Sequence, residues 1–166
     1  IMMQNIHFKA PNCWINDPNG FIWYKGQYHL FYQCFPYAPQ WGRMHWGHAV
    51  SKDLVNWEKK GIALYPTKID DRSGCFSGSA VEQDRTLYLF YTGVNYLEEN
   101  PEDINQCRND QFLAAQMMIS SDDGMTFDNV KRKKTVIPPI TEKQIGSKTN
   151  TRDPKVWRGK DAWYLV

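Results

Sequence analysis

Asn19-Gly-Phe-Ile-Trp-Tyr-Lys-Gly-Gln-Tyr-His-Leu-Phe-Tyr32, Gly78-Ser-Ala-Val-Glu-Gln-Asp-Arg-Thr-Leu-Tyr-Leu-Phe-Tyr91 and Pro154-Lys-Val-Trp-Arg-Gly-Lys-Asp-Ala-Trp-Tyr-Leu-Val166 follow one plan. A run rich in aromatic and β-branched residues leads into a short polar turn and a second such run, the signature of a β-hairpin. The turns are Lys25-Gly26, Gln83-Asp84-Arg85 and Arg158-Gly159-Lys160. After the first two hairpins comes a second shared unit, Ala49-Val-Ser-Lys-Asp-Leu-Val-Asn-Trp57 and Ile119-Ser-Ser-Asp-Asp-Gly-Met-Thr-Phe127, each a strand, an acidic turn and an aromatic. Hairpins with further strands, recurring at roughly 60 to 75 residues, predict four-stranded blades arranged radially in a β-propeller. Helical periodicity is nearly absent, so the class is all-β, with two blades and the opening of a third.

Between these units, Thr86 to Thr92 alternates loosely and stays apolar enough for an interior strand, whereas Tyr96 to Gln111 is polar and acidic and reads as an exposed loop. The basic run Lys131 to Lys134 reads as a solvated turn. The apolar strand Ala162 to Val166 has no following neighbours to pair with, so the chain reads as part of a longer polypeptide.

Composition narrows the partner. Lys+Arg of 20 against Asp+Glu of 18 leaves a net charge of +2, too small a surplus for a nucleic-acid or membrane partner. A small, neutral or modestly charged molecule fits better. Hydrophobic content of 42% supports a packed core, and Trp 7, Tyr 9 and Phe 8 supply both core mass and stacking faces for sugar rings. Cys13, Cys34, Cys75 and Cys107 show no C-x-x-C spacing and read as reduced thiols. With no signal-like or membrane-length apolar run and no N-glycosylation sequon, a cytoplasmic location is expected. No cofactor is expected.

Chemistry concentrates in Trp14-Ile-Asn-Asp-Pro-Asn-Gly20. Pro18 presets the backbone and Gly20 permits an unusual φ, so the Asp17 carboxylate can be held in one orientation while Asn16 and Asn19 donate hydrogen bonds. An Asx turn before a hairpin is the plain alternative, and for Asp-Pro or Asn-Gly alone it is the better one. His45 and His48 have a metal-like spacing, but no third ligand lies close and the intervening Trp-Gly reads as strand.

Trp14 to Gly20 resembles the signature of the family 32 glycoside hydrolases. Phe31-Tyr-Gln33, Phe76-Ser-Gly-Ser79 and Arg152-Asp-Pro154 agree in the right order, and His45-Trp-Gly-His-Ala-Val-Ser-Lys-Asp-Leu-Val-Asn-Trp-Glu58 looks like the intervening stretch. The resemblance implies a five-bladed propeller, with residues 1–166 as the N-terminal part of one catalytic domain and the remaining blades and any C-terminal β-sandwich lying outside them. It implies hydrolysis of β-fructofuranosides such as sucrose or sucrose 6-phosphate, with retention. Asp17 is then the nucleophile and Asp153 the transition-state stabiliser. Trp14, Ile15, Asn16, Gln33, Trp41, Phe76, Ser77 and Arg152 are expected to contact the sugar. Trp41 or Trp46 could stack on a sugar ring, with core packing the plain alternative for both. Strand alternation would place Arg152 opposite Asp153, leaving it a role only where the strand kinks at Pro154.

A retaining glycosidase also needs a proton donor about 5 to 5.5 Å from the nucleophile. The family's donor is a Glu in a Glu-Cys motif downstream of Arg-Asp-Pro, and no Glu-Cys occurs here. The acid is therefore expected beyond Val166, and the chain alone is expected to be inactive. Two other readings stay open: an inverting arabinan-type furanosidase on the same propeller, and a non-catalytic sugar-binding propeller.

Overall fold

The computed structural model describes residues 8–9 and 12–166; residues 1–7, 10 and 11 of the domain range drawn above lie outside the described residues. Among the described residues, twelve strands account for nearly all regular structure, with 3-10 turns at Ile69–Asp71 and Arg108–Asp110. The first blade is β1 (Trp14–Tyr24), β2 (Gln27–Phe35), β3 (His45–Ser51) and β4 (Glu58–Leu64), hydrogen-bonded in that order and antiparallel throughout. The second is β5 (Gly74–Gln83), β6 (Thr86–Tyr96), β9 (Phe112–Ser121) and β10 (Lys134–Ile137). β11 (Val156–Arg158) and β12 (Trp163–Leu165) form the hairpin that opens the third. The all-β propeller read from the repeat is thus the observed architecture, with β1 and β5 packed side by side and β11 against β5.

Blade 1 packs on blade 2 through one apolar core. Phe31, Trp46 and Leu64 meet Leu87, Leu89, Tyr91, Met117 and Ile119, all fully buried. Each such side chain contributes on the order of 1.5–3 kcal/mol when removed from water. Trp46 is therefore core and not a sugar-stacking face; its indole donates to the Phe76 carbonyl at 3.0 Å. His29 and His48 share a hydrogen bond of 3.0 Å inside this core, with His48 stacked on Phe31. Burial, then the neighbouring His29 and Lys60, pushes the His48 pKa down to about 3. His45 instead bonds the Arg43 carbonyl, so the two metal-spaced histidines have separate partners. The four cysteines are free thiols.

The hairpin turns are tighter or looser than the sequence suggests. Gln83 pairs with Thr86, leaving a two-residue Asp84-Arg85 turn, while Arg158 pairs with Trp163 across a longer loop. Lys25-Gly26 has φ of 47° and 84°, and Asp84-Arg85 has 51° and 66°, the left-handed pair that matches strand twist. Arg85 thus stands where blade 1 has Gly26. Its known contacts here are made by its backbone, the amide to Glu82 and the carbonyl from Tyr24. Arg85→Gly should therefore relieve side-chain strain and raise stability by ~0.5–1 kcal/mol, read as a higher urea midpoint. A lower midpoint would show that the Arg85 side chain itself stabilises the turn.

The recurring acidic turns share one mechanism. Ser51 Oγ and Asp53 cap the amides of Leu54, Val55 and Asn56, and Ser121 Oγ and Asp123 cap those of Gly124, Met125 and Thr126. Two sequence readings are corrected. Tyr96 to Gln111 is not a plain loop: Tyr96 ends β6, and β7 (Glu99–Asn100) and β8 (Asp103–Cys107) form a small hairpin beyond it. Within the basic run, Lys133 is not solvated. Its side chain is fully buried, 2.5 Å from Asp71 Oδ2, because the bend before β10 folds over the Ile69–Asp71 turn that links the blades.

Candidate active site

The inner strands carry the site at matching bulges. In β1, Ile15 pairs with Cys34 and Pro18 with Tyr32, so Asn16 and Asp17 together face Gln33. In β5, Cys75 pairs with Gly93 and Gly78 with Tyr91, so Phe76 and Ser77 together face Thr92. An extra residue bends a strand and re-aims its side chains. Here the two bulges bring their residues together: Ser77 Oγ donates to Asp17 Oδ2 at 2.6 Å. Gly20, at φ 53°, lies close against Phe31 and Ala80, as the unusual φ expected of it requires.

The donors differ from those expected. Asn16 donates to Gln33 Oε1, Trp14 Nε1 donates to Asn16 Oδ1 at 2.9 Å, and Asn19 donates to the Asp17 carbonyl at 3.3 Å. Neither amide touches the Asp17 carboxylate; the bulge turns them toward the strand pair, and Ser77 takes the position across the blade boundary. Asn19 Oδ1 meanwhile accepts from the Gly78 amide at 3.1 Å, locking the two inner strands in register.

Arg152-Asp153-Pro154 precedes β11 and is not strand, so the alternation argument for Arg152 does not apply. Asp153 has φ 63°, and Arg152 Nε lies 3.8 Å from Asp153 Oδ2 on the same side. Blade 2 holds this segment at three points. Gln116 donates to the Thr151 carbonyl, Thr92 Oγ1 accepts from the Asp153 amide at 2.7 Å, and Ser79 Oγ donates to the Pro154 carbonyl at 2.8 Å. Sequence reasoning gave no role to Thr92 or Gln116, and named Ser79 only as the end of a matching motif. Thr92 had a signal, since it follows Phe90-Tyr91 as Gln33 follows Phe31-Tyr32.

Trp41 stands at the rim, edge-on to Phe76 at 5.6 Å and to Trp14 at 6.3 Å. Gln33 is buried and reaches the Cys75 carbonyl at 3.5 Å. Ile15 is set apart, packing on the cluster of Tyr32, Cys34 and Ala49. A groove of about 390 Å³ lies elsewhere, between blade 2 and the third hairpin, lined by residues such as Tyr88, Phe90 and Trp163.

Burial raises the Asp153 pKa, Arg152 lowers it, and the Asp17 charge raises it again. The Asp17 charge therefore reaches Asp153. Asp17→Asn removes the like charge, so the Asp153 pKa should fall in a ¹³C NMR titration. An unmoved Asp153 titration would mean that the carboxyls do not form a pair.

These features define a class: a β-propeller with two carboxyls, Asp17 and Asp153, on segments joined to blade 2 through Ser77 and Thr92, beside the aromatics Trp14, Trp41 and Phe76. The profile of the Glycosyl hydrolases family 32 N-terminal domain matches residues 7–166. The chain is 44% identical to a sucrose-6-phosphate hydrolase of Zymomonas mobilis over 96% of its length and 29% of that protein. It is 41% identical to a sucrose-6-phosphate hydrolase of Escherichia coli over 98% of its length and 31% of that protein. Among solved structures, a mutant of the Bombyx mori GH32 β-fructofuranosidase in complex with sucrose superimposes with a TM-score of 0.77 at 36% identity, covering 97% of this chain and 31% of that one. The chain belongs to glycoside hydrolase family 32, and spans about three-tenths of the length of these relatives. Among the described residues, no helix is long and apolar enough to cross a membrane.

Proposed function

We propose that the full-length protein hydrolyses β-fructofuranosides, with sucrose or sucrose 6-phosphate as substrate, by a retaining mechanism. The observation that carries this reading is the pair of inner-strand bulges, which presents Asp17 to Ser77 beside Asp153. Asp17 attacks the anomeric carbon of the fructosyl unit, and the bond to the leaving oxygen breaks as that oxygen takes a proton from the downstream Glu. The same Glu then draws a proton from water, which attacks the anomeric carbon and frees Asp17. Asp153, with its backbone pinned by Thr92, grips fructose hydroxyls as the ring gains positive charge. Asn16, Gln33 and Phe76 are assigned to the fructosyl pocket and Trp14 and Trp41 to its mouth, while Arg152 tempers the charge of Asp153.

The names of the similar proteins support the substrate class, and a cytoplasmic site of action accords with a phosphorylated sugar. By the same reading this chain on its own lacks the proton donor and turns over no sucrose. NMR of fresh hydrolysate, taken before mutarotation, tests the mechanism. Fructose released as the anomer it held in the substrate is the expected result. The inverted anomer would favour the arabinan-type arrangement, with a wider carboxyl separation.

A further inference from the structure

The connection from β2 to β3 in blade 1 and the connection from β6 to β9 in blade 2 are equivalent in the repeat and leave the blades at the same end as Asp17 and Ser77. The first carries Trp41 and Arg43; the second carries the β7–β8 hairpin. The two are clasped together. Arg43 Nη2 lies 2.5 Å from Glu99 Oε1, and Arg43 Nε and Nη2 donate to the Ile104 carbonyl at 3.2 and 3.0 Å. At the hairpin's base, the Tyr96 hydroxyl donates to the Asn105 carbonyl at 2.9 Å. The hairpin thus continues the line from Asp17 and Ser77 through Phe76 and Trp41. The connection also exposes apolar surface, Leu97 just before β7 at 51% and Ile104 on β8 at 59%.

Resting on the fructosidase reading, we infer that the β7–β8 hairpin, held in place by Arg43, is the wall that the leaving group meets, and that it sets the preference for a short leaving group over a long one. A fructosyl unit seated at Asp17 must project its leaving group past Trp41. Leu97 and Ile104 offer exposed apolar side chains on which the first leaving sugar can rest a face, and the body of the hairpin then stands in the path of further units. Arg43 acts as a positioning residue: its guanidinium bridges a side chain on β7 and a backbone carbonyl on β8, so one group fixes both strands of the hairpin.

The test compares kcat/KM for sucrose with kcat/KM for inulin in the full-length enzyme, in Arg43→Ala, in Glu99→Ala, and in Arg43→Lys. Arg43→Ala should narrow the preference for sucrose by about tenfold, the scale of losing a few apolar contacts. The loss should fall on KM for sucrose rather than on kcat. Glu99→Ala should move the ratio in the same direction, and Arg43→Lys should restore part of it, because a lysine keeps the ion pair but not the paired bonds to Ile104. A ratio unchanged within about twofold, or a fall in kcat shared by both substrates, overturns the inference and leaves the fructosidase reading standing. If the unaltered enzyme releases fructose from neither substrate, both fall.

Discussion

Asn in place of Asp17 is expected to abolish release of fructose from sucrose by the full-length enzyme, by on the order of 10⁵- to 10⁶-fold, as loss of a covalent nucleophile does elsewhere. The amide has no negative oxygen to form the ester with the anomeric carbon. Folding should survive the change. Asp17 is exposed, the amide keeps the shape of the carboxylate, and its Oδ1 still accepts the Ser77 hydroxyl that now lies 2.6 Å away. The measurement is initial-rate hydrolysis beside a urea unfolding curve for the same preparation. If Asp17 served only an Asx turn before the hairpin, turnover would stay within a few-fold of the parent and the assignment would fail.

The second large effect is on stability. Lys133→Met should lower unfolding free energy by about 3–5 kcal/mol, the cost of leaving a buried charge without its partner. Asp71 has no exposed side-chain surface and also accepts from the amides of Thr67 and Lys68 and from the Tyr91 hydroxyl. Those donors remain in the variant but supply no net positive charge. The Lys133 ammonium also donates to the Tyr65 carbonyl at the end of blade 1, so its loss loosens the joint between the blades. Since a domain's whole margin is about 5–15 kcal/mol, the urea midpoint should drop sharply. Lys133→Met combined with Asp71→Asn should recover most of the loss, because no buried charge is then left alone. A change below about 0.5 kcal/mol in the single variant would return Lys133 to the solvated role that its neighbours suggest.

Most of the fold was legible because hairpin formation is local. Alternating aromatic and β-branched residues with left-handed turn formers specify a strand pair within about fifteen residues of chain, and the same text repeated specifies a blade. The acidic turns after β3 and β9 were legible for the same reason, since Ser and Asp cap amides only a few residues away. Asp17 and Asp153 were singled out through the ordered motifs in which they sit, on the strength of the resemblance.

The sequence by itself determined the blades, their order and the motif segments. Only the tertiary structure decided what those segments touch. The donor to the Asp17 carboxylate comes from Ser77 in the next blade, and the support of Asp153 comes from Thr92, Gln116 and Ser79, partners distant in the chain. Lys133 lies in a run of like charges that reads as solvated, yet it is drawn inside by Asp71. The bulges at Asn16-Asp17 and Phe76-Ser77 leave no mark in composition, because a bulge is a mismatch between two strands and belongs to neither alone. Local hydrogen bonding and side-chain periodicity are written along the chain, whereas charge pairing and the aim of a side chain such as Asp17 depend on which blade faces it.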